Sequence, residues 1–242
     1  MRILITNDDG YDALGIKLLT KYAKNYGEVL VCAPKVEQSA KSHSICIKKP
    51  IEVSEVLSED GVRTIIVDST PADCVRYVYY GLEDDFDIVF SGINNGYNCG
   101  EDIMYSGTVA GAIEACLHDK KAIAFSSEHG KNLVYDEKTF KLVMDFILEN
   151  KLLDLCDCLN VNVPENYKGI KFARQGRTFF NTTFDHVDGK IYELGNPNFD
   201  LEDDKETDTY LINNGFITIS PLTIYKTDNN MYEYLKENIK TE

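Results

Sequence analysis

Asp8 and Asp9 stand side by side in Asn7-Asp8-Asp9-Gly10, directly after the apolar run Arg2-Ile3-Leu4-Ile5-Thr6 and ahead of a helical pattern. Asn, Asp and Gly also build turns, and an aspartate can cap a following helix. Two adjacent carboxylates at a helix start nevertheless repel each other, and no lysine or arginine follows until Lys17. A hard divalent cation bound through oxygen resolves that repulsion.

Three further stretches could join this pair. Ser91-Gly92-Ile93-Asn94-Asn95-Gly96-Tyr97-Asn98-Cys99-Gly100 follows the apolar run Phe86 to Phe90. Its glycines let backbone approach a ligand closely, and its asparagines offer neutral oxygen donors, although a long surface loop would use the same residues. In Tyr105-Ser106-Gly107-Thr108-Val109-Ala110-Gly111-Ala112, hydroxyls and a glycine lead into a small-residue helix. A helix start of this kind holds anions through free N–H groups and its dipole, and Ser106 and Thr108 add hydroxyl donors; an ordinary N-cap has the same spelling. The stretch Ala33 to Ser44, with Ser39, Ser42 and His43, reads alone as a solvated loop and matters through its position after a strand.

These four stretches depend on the elements that deliver them. Short β-rich runs at about 2–6, 28–33, 62–68, 86–90, 122–126 and 158–163 alternate with helical patterns, as in βαβ units around a parallel sheet. Helices are expected over 14–26, from Thr70-Pro71 onward, over 107–118 and over 136–150, the last with Phe140, Val143, Met144 and Ile147 on one stripe. Strand-end loops of a parallel sheet converge on one edge, where ligands bind. The acidic, amide, hydroxyl and helix-start groups thus meet in one cleft, and that mixture suits metal-assisted phosphate chemistry. After about residue 169 the pattern turns to hairpins: Thr178 to Phe184, a turn at Asp188-Gly189, Ile191-Tyr192, and later Phe216 to Ile219, with a polar loop over 196–208. The expected organisation is one α/β domain over 1–242, with a core to about 170, a β-rich extension over about 171–225 and a tail helix over about 229–240.

Composition excludes several alternatives. A formal charge of −15 over 242 residues repels a nucleic-acid backbone, so no large nucleic acid is expected as partner. No apolar run reaches membrane-spanning length and no signal peptide opens the chain, so a cytoplasmic, membrane-free protein is expected. Seven cysteines without paired C-x-x-C spacing read as reduced, packed thiols. His43, His118, His129 and His186 lack zinc-hydrolase spacing, and His118 suits a helix-end dipole contact better than a metal. Neither Cys74 nor Cys99 has the arginine of a cysteine phosphatase, and the G-x-S-x-G elbow is missing.

The motifs resemble those of the SurE family, the stationary-phase survival proteins with 5′-nucleotidase activity. The carrying residues are Ile3 to Gly10, Ala33-Pro34 with Gln38-Ser39-Ala40 and Ser42-His43-Ser44-Ile45, and Thr70 to Val75. They continue as Ser91 to Gly96, Tyr105 to Thr108, Asn160 to Pro164 and Thr207-Asp208-Thr209. The resemblance implies a Rossmann-like three-layer α/β/α core with a mostly parallel sheet and a C-terminal β-hairpin extension used in homodimer or homotetramer contacts. It also implies one divalent ion, Mn2+ or Mg2+, held by Asp8, Asp9, Ser39 and Asn95. Substrate contacts fall on Asn7, Asn94, Ser106, Gly107 and Thr108, and the catalytic pair is Asp8 and Asp9. The reaction implied is hydrolysis of nucleoside 5′-monophosphates, with 3′-nucleotides and short polyphosphate left open. Cys46 and Phe125-Ser126-Ser127-Glu128 depart from the family pattern and bear on substrate preference. Two rivals remain: a phosphatase using Asp8 as covalent nucleophile, although D-x-D spacing is lacking, and a nucleotide-binding sensor without turnover.

Overall fold

A computed structural model describes residues 1–242 except 59–60, 83, 131–134, 178–179, 198–203 and 240–242. The chain alternates strands and helices from its start: β1 (Arg2–Thr6), α1 (Leu14–Ala23), β2 (Glu28–Pro34), β3 (Val53–Leu57), β4 (Arg63–Val67) and α2 (Pro71–Arg76). There follow β5 (Ile88–Asn95), α3 (Gly107–Cys116), β6 (Lys121–Ser127), α4 (Glu137–Glu149), α5 (Leu152–Leu155) and β7 (Cys158–Val163). The remainder is β8 (Ile170–Phe172), β9 (Phe180–Val187), β10 (Lys190–Pro197), α6 (Asp208–Asn213), β11 (Ile217–Leu222) and α7 (Asn229–Asn238).

Helix starts follow local chemistry. Thr70 caps α2 by accepting from the Asp73 N–H, with Pro71 at the first helical position, and Ser106 and Asp136 cap α3 and α4 in the same way. The strands alternate their buried side chains between two helical layers. Ile3, Ile5, Val31, Phe90 and Phe125 face α1 and α4, which bring Ile16, Leu19, Phe140, Val143 and Ile147. Leu4, Cys32, Ile65, Val67 and Val89 face α2 and α3, which bring Cys74, Val75, Val109 and Ala112. The result is the expected three-layer α/β/α arrangement.

The nine-stranded sheet runs β3-β4-β2-β1-β5-β6-β7-β11-β8. β4, β2, β1, β5, β6 and β7 are mutually parallel. Counted in chain order these six run 3-2-1-4-5-6, the doubly wound order whose reversal lies between its first and fourth strands, here β1 and β5. β3 and β11 are antiparallel to their neighbours β4 and β7.

Several elements differ from expectation. β3 has no counterpart among the expected strands: all five of its residues are exposed, so burial leaves no alternation in the sequence. β8 and β11, within the stretch expected as a β-rich extension, belong to the main sheet, where β11 pairs with β7 and β8 with β11 rather than in a local hairpin. The antiparallel β9–β10 pair forms a sheet of its own. The expected loop over 196–208 gives way to α6 at Asp208, capped by Thr207; its residues 198–203 lie outside the described residues, as do Thr178 of the expected hairpin and residue 240 of the expected tail helix. All seven cysteines are free thiols, five of them buried. Among the described residues no helix is long and apolar enough to cross a membrane.

Candidate active site

The carboxyl ends of β1 and β5 meet at the reversal of strand order. Thr6 pairs with Ser91 there, so Asn7-Asp8-Asp9 leaves β1 beside the end of β5, whose last residues are Asn94 and Asn95. Gly92, at φ +131° in β5, sits where a Cβ would lie 2.3 Å from the Phe125 carbonyl oxygen. Pairing with β6 shifts between Ser91 and Asn94, and beyond this bulge Asn94 and Asn95 pair with Ser126 and Ser127.

Asp8 is buried, and its carboxylate accepts a hydrogen bond from the Thr108 hydroxyl. Gly107 allows the approach: a Cβ there would lie 2.7 Å from the Asp8 Cβ and 2.9 Å from its Oδ2. The first turn of α3 is therefore packed onto Asp8. Burial pushes the Asp8 carboxyl up, against the opposing pull of the Thr108 hydroxyl. Asp9 is half-buried; burial first, then repulsion from Asp8 and Glu37, push it up to about 6 against the Asn95 backbone N–H.

The other expected residues gather around this pair with distinct engagements. The Asn7 amide donates to the Gly10 carbonyl at 2.9 Å, and its Oδ1 is buried without a hydrogen-bond partner. Asn94 donates to the Gly96 carbonyl at 2.9 Å. Asn95 exchanges two bonds with Gly130, donating to its carbonyl at 3.2 Å and accepting from its N–H at 3.1 Å. Ser106 Oγ caps α3 by accepting from the Val109 N–H at 3.0 Å. Ser39 donates to Glu37 Oε1 at 2.6 Å and lines, with Asn95, one open cleft of about 1050 Å3. Asp8, Thr108 and Gly107 thus touch, Asp9 meets Asn95, and Ser39 reaches the assembly across the cleft.

Among the described residues no three His, Cys, Asp or Glu side chains form a metal-holding group. The donors here are two carboxylates supplemented by neutral oxygens, and Asn7 Oδ1 is an unpartnered one beside them. An all-oxygen set of this kind fits a hard ion such as Mg2+ or Mn2+ and does not fit zinc.

Sequence reasoning missed what fastens the Ser39 loop. His43 Nε2 meets Glu114 Oε2 at 2.6 Å, and Arg76 and His118 meet Glu114 Oε1 at 3.2 and 3.0 Å. The Ser42 N–H also donates to the Tyr105 carbonyl and the Cys46 N–H to Asp73. Glu114, on the buried side of α3, was the available signal, because a carboxylate among Ala and Cys needs partners. His118 accordingly stacks on the Tyr79 ring at 4.3 Å and pairs with Glu114.

Comparison with known proteins gives the family. The family model described as "Survival protein SurE" matches residues 3–182. A protein named 5′-nucleotidase SurE from Clostridium botulinum (strain 657 / Type Ba4) is 40% identical over 246 residues, covering 96% of this chain and 97% of that protein. Another so named, from Thermoanaerobacter sp. (strain X514), is 37% identical over 253 residues and covers 100% of both. The crystal structure of the SurE protein from Aquifex aeolicus superposes with a TM-score of 0.80 at 33% identity, over 98% of this chain and 99% of that one. With three-quarters of its length matched by the family model and relatives 37–40% identical over nearly all of it, the chain belongs to the SurE family.

Proposed function

We propose that this protein is a metal-dependent 5′-nucleotidase, hydrolysing nucleoside 5′-monophosphates to nucleoside and phosphate. The observation that carries the proposal is the Asp8–Asp9 pair, desolvated, with Asp8 packed through Gly107 and Thr108 against the start of a ten-residue helix. Carboxylates pushed toward holding protons at a helix start that favours anions suit a place where cation and phosphate arrive together.

Asp8, Asp9, Ser39 and Asn95 would hold one divalent ion, Mn2+ or Mg2+. Such an ion, when bound, neutralises phosphoryl charge and lowers the pKa of a coordinated water. The N–H groups at the start of α3, the Ser106 and Thr108 hydroxyls, and the Asn7 and Asn94 amides would hold and orient the phosphoryl group. Asp9, the more accessible carboxyl, would orient or deprotonate the attacking water, while Thr108 fixes Asp8 in place. The related proteins named 5′-nucleotidase SurE support the choice of substrate. The exposed Phe184, Val187 and Ile191 of β9–β10, with Met231 and Tyr234 of α7, support self-association as a dimer or tetramer.

The test is phosphate release from AMP with Mn2+, with EDTA, and with Asp9→Ala. Release expected in the first alone separates an enzyme from a nucleotide sensor. Equal rates for parent and a metal-stripped Asp9→Ala variant would overturn the assignment.

A further inference from the structure

The cleft lined by Ser39 and Asn95, two of the proposed metal ligands, continues away from them. Tyr97, Glu128, His129, Glu165 and Asn213 also line it. Among the described residues no lysine or arginine lines it. Such a wall offers carboxylates to hydrogen-bond donors and repels additional phosphate groups.

Glu128 is held firmly within this wall. It follows Ser127, the strand partner of Asn95, so it lies about one strand spacing across, ~5 Å, and one residue along, ~3 Å, from Asn95. Its N–H donates to the Val163 carbonyl at 3.0 Å. Its Oε2 accepts from the Glu165 N–H at 2.8 Å, and the Tyr97 side chain hydrogen-bonds to the same carboxylate. The next two residues clasp Asn95: His129 Nδ1 lies 3.0 Å from its carbonyl oxygen, and Gly130 exchanges two bonds with its amide. A carboxylate has about four acceptor positions, and these two donors leave room for more.

We infer that Glu128 is a specificity-determining residue that accepts hydrogen bonds from the sugar hydroxyls of a ribonucleoside monophosphate. The inference rests on the nucleotidase proposal and names the part of the substrate this cleft selects. A vicinal diol is a pair of donors at the spacing of one carboxylate, and doubly wound sheets hold ribose hydroxyls on carboxylates at other strand ends. The uncharged nucleoside then fills the cation-free cleft, and only the reacting phosphate reaches the helix start.

The experiment compares AMP with 2′,3′-dideoxy-AMP in the parent, Glu128→Ala and Glu128→Gln. A charged-acceptor hydrogen bond corresponds to about a tenfold to hundredfold preference. The parent should show that preference in kcat/KM, expressed mainly in KM. Glu128→Ala should bring the ratio of the two substrates close to one, and Glu128→Gln, which keeps one acceptor oxygen, should fall between. Because the measured quantity is a ratio within each protein, a general loss of folding cancels. A parent that does not distinguish the substrates, or an Ala variant that loses the same factor on both, overturns the inference while leaving the nucleotidase proposal intact. If AMP is not cleaved at all, calorimetric titration with adenosine and 2′,3′-dideoxyadenosine decides. Binding that depends on Glu128 and on the hydroxyls upholds the inference alone, and binding that depends on neither sinks it.

Discussion

Replacing Asp9 by asparagine should stabilise the metal-free protein at neutral pH. In the folded chain the Asp9 carboxyl is raised from 3.8 to about 6 by burial and by the neighbouring charges of Asp8 and Glu37. Folding therefore favours the protonated form, and folded Asp9 holds more proton than unfolded Asp9 between those two values. Stability is fully present below about pH 4 and is lost as pH rises through about 6. The gap corresponds to about 3 kcal/mol at full strength, and partial exposure of the side chain reduces it to about 1–2 kcal/mol. Asparagine imitates the neutral carboxyl and keeps an oxygen to accept the Asn95 N–H, so it escapes the penalty. In urea titrations of chelator-treated protein, Asp9→Asn should exceed the parent by about 1–2 kcal/mol at pH 7, roughly 2–8 °C in Tm for a chain of this size. The difference should shrink toward zero near pH 4. Added Mn2+ should stabilise the parent by mass action and leave the variant behind. A variant less stable than the parent at pH 7, or a difference independent of pH, would refute the electrostatic account of this pair.

Gly107→Ala puts a Cβ 2.7 Å from that of Asp8, so it should displace the carboxylate, cost about 1–3 kcal/mol and weaken Mn2+ binding in a calorimetric titration. Gly15→Ala, whose Cβ would fall 2.0 Å from the Ile93 carbonyl oxygen, should lie at the upper end of the same range, because the obstacle is backbone; urea denaturation measures it. Glu114→Ala removes the shared partner of His43, Arg76 and His118 and should cost about 3 kcal/mol at pH 7. Burial works to raise the Glu114 carboxyl, but His43 and Arg76 outweigh it and hold it low, so this stability is present above the ordinary carboxylate range. The deficit of the variant should narrow as pH falls below that range, as stability measured against pH will show.

The six parallel strands could be read because each is a short β-rich run closed by turn residues, and α2, α3 and α4 because Thr70, Ser106 and Asp136 announce their starts. β3 could not be read this way, since an edge strand with every residue exposed carries no burial pattern. Nor could the place of β11 between β7 and β8, since Asn162 and Thr218 pair across 56 residues and Ile170 and Ile217 across 47, contacts that no local signal encodes. The helix α6 was legible in Thr207-Asp208, whose hydroxyl accepts from the Tyr210 N–H, and was passed over in a polar stretch. At the site, the residue types of Asp8, Asp9, Ser106 and Thr108 announced themselves, but the bond from Thr108 to Asp8 joins positions a hundred residues apart. Ser39 turning to Glu37 and Asn95 to Gly130 are local choices among equivalent partners, which composition alone does not decide.

Two glycines explain why this corner of the sheet became a site. α1 lies on one face and α3 on the other, and each reaches a strand-end segment at a residue without a side chain. Gly15 closes onto the Ile93 carbonyl of the β5 bulge, and Gly107 closes onto Asp8 after β1. Both helices therefore pinch the reversal point between β1 and β5, where the sheet itself opens a crevice. A carboxylate drawn into that pinch loses hydration faster than it gains hydrogen bonds, as the raised Asp8 and Asp9 record. The same packing that desolvates the pair leaves Asp9 only half-buried. Backbone geometry, more than acidity of the sequence, sets the state of the pair: the two carboxylates are destabilised where they stand, and the divalent ion proposed for this site would relieve them.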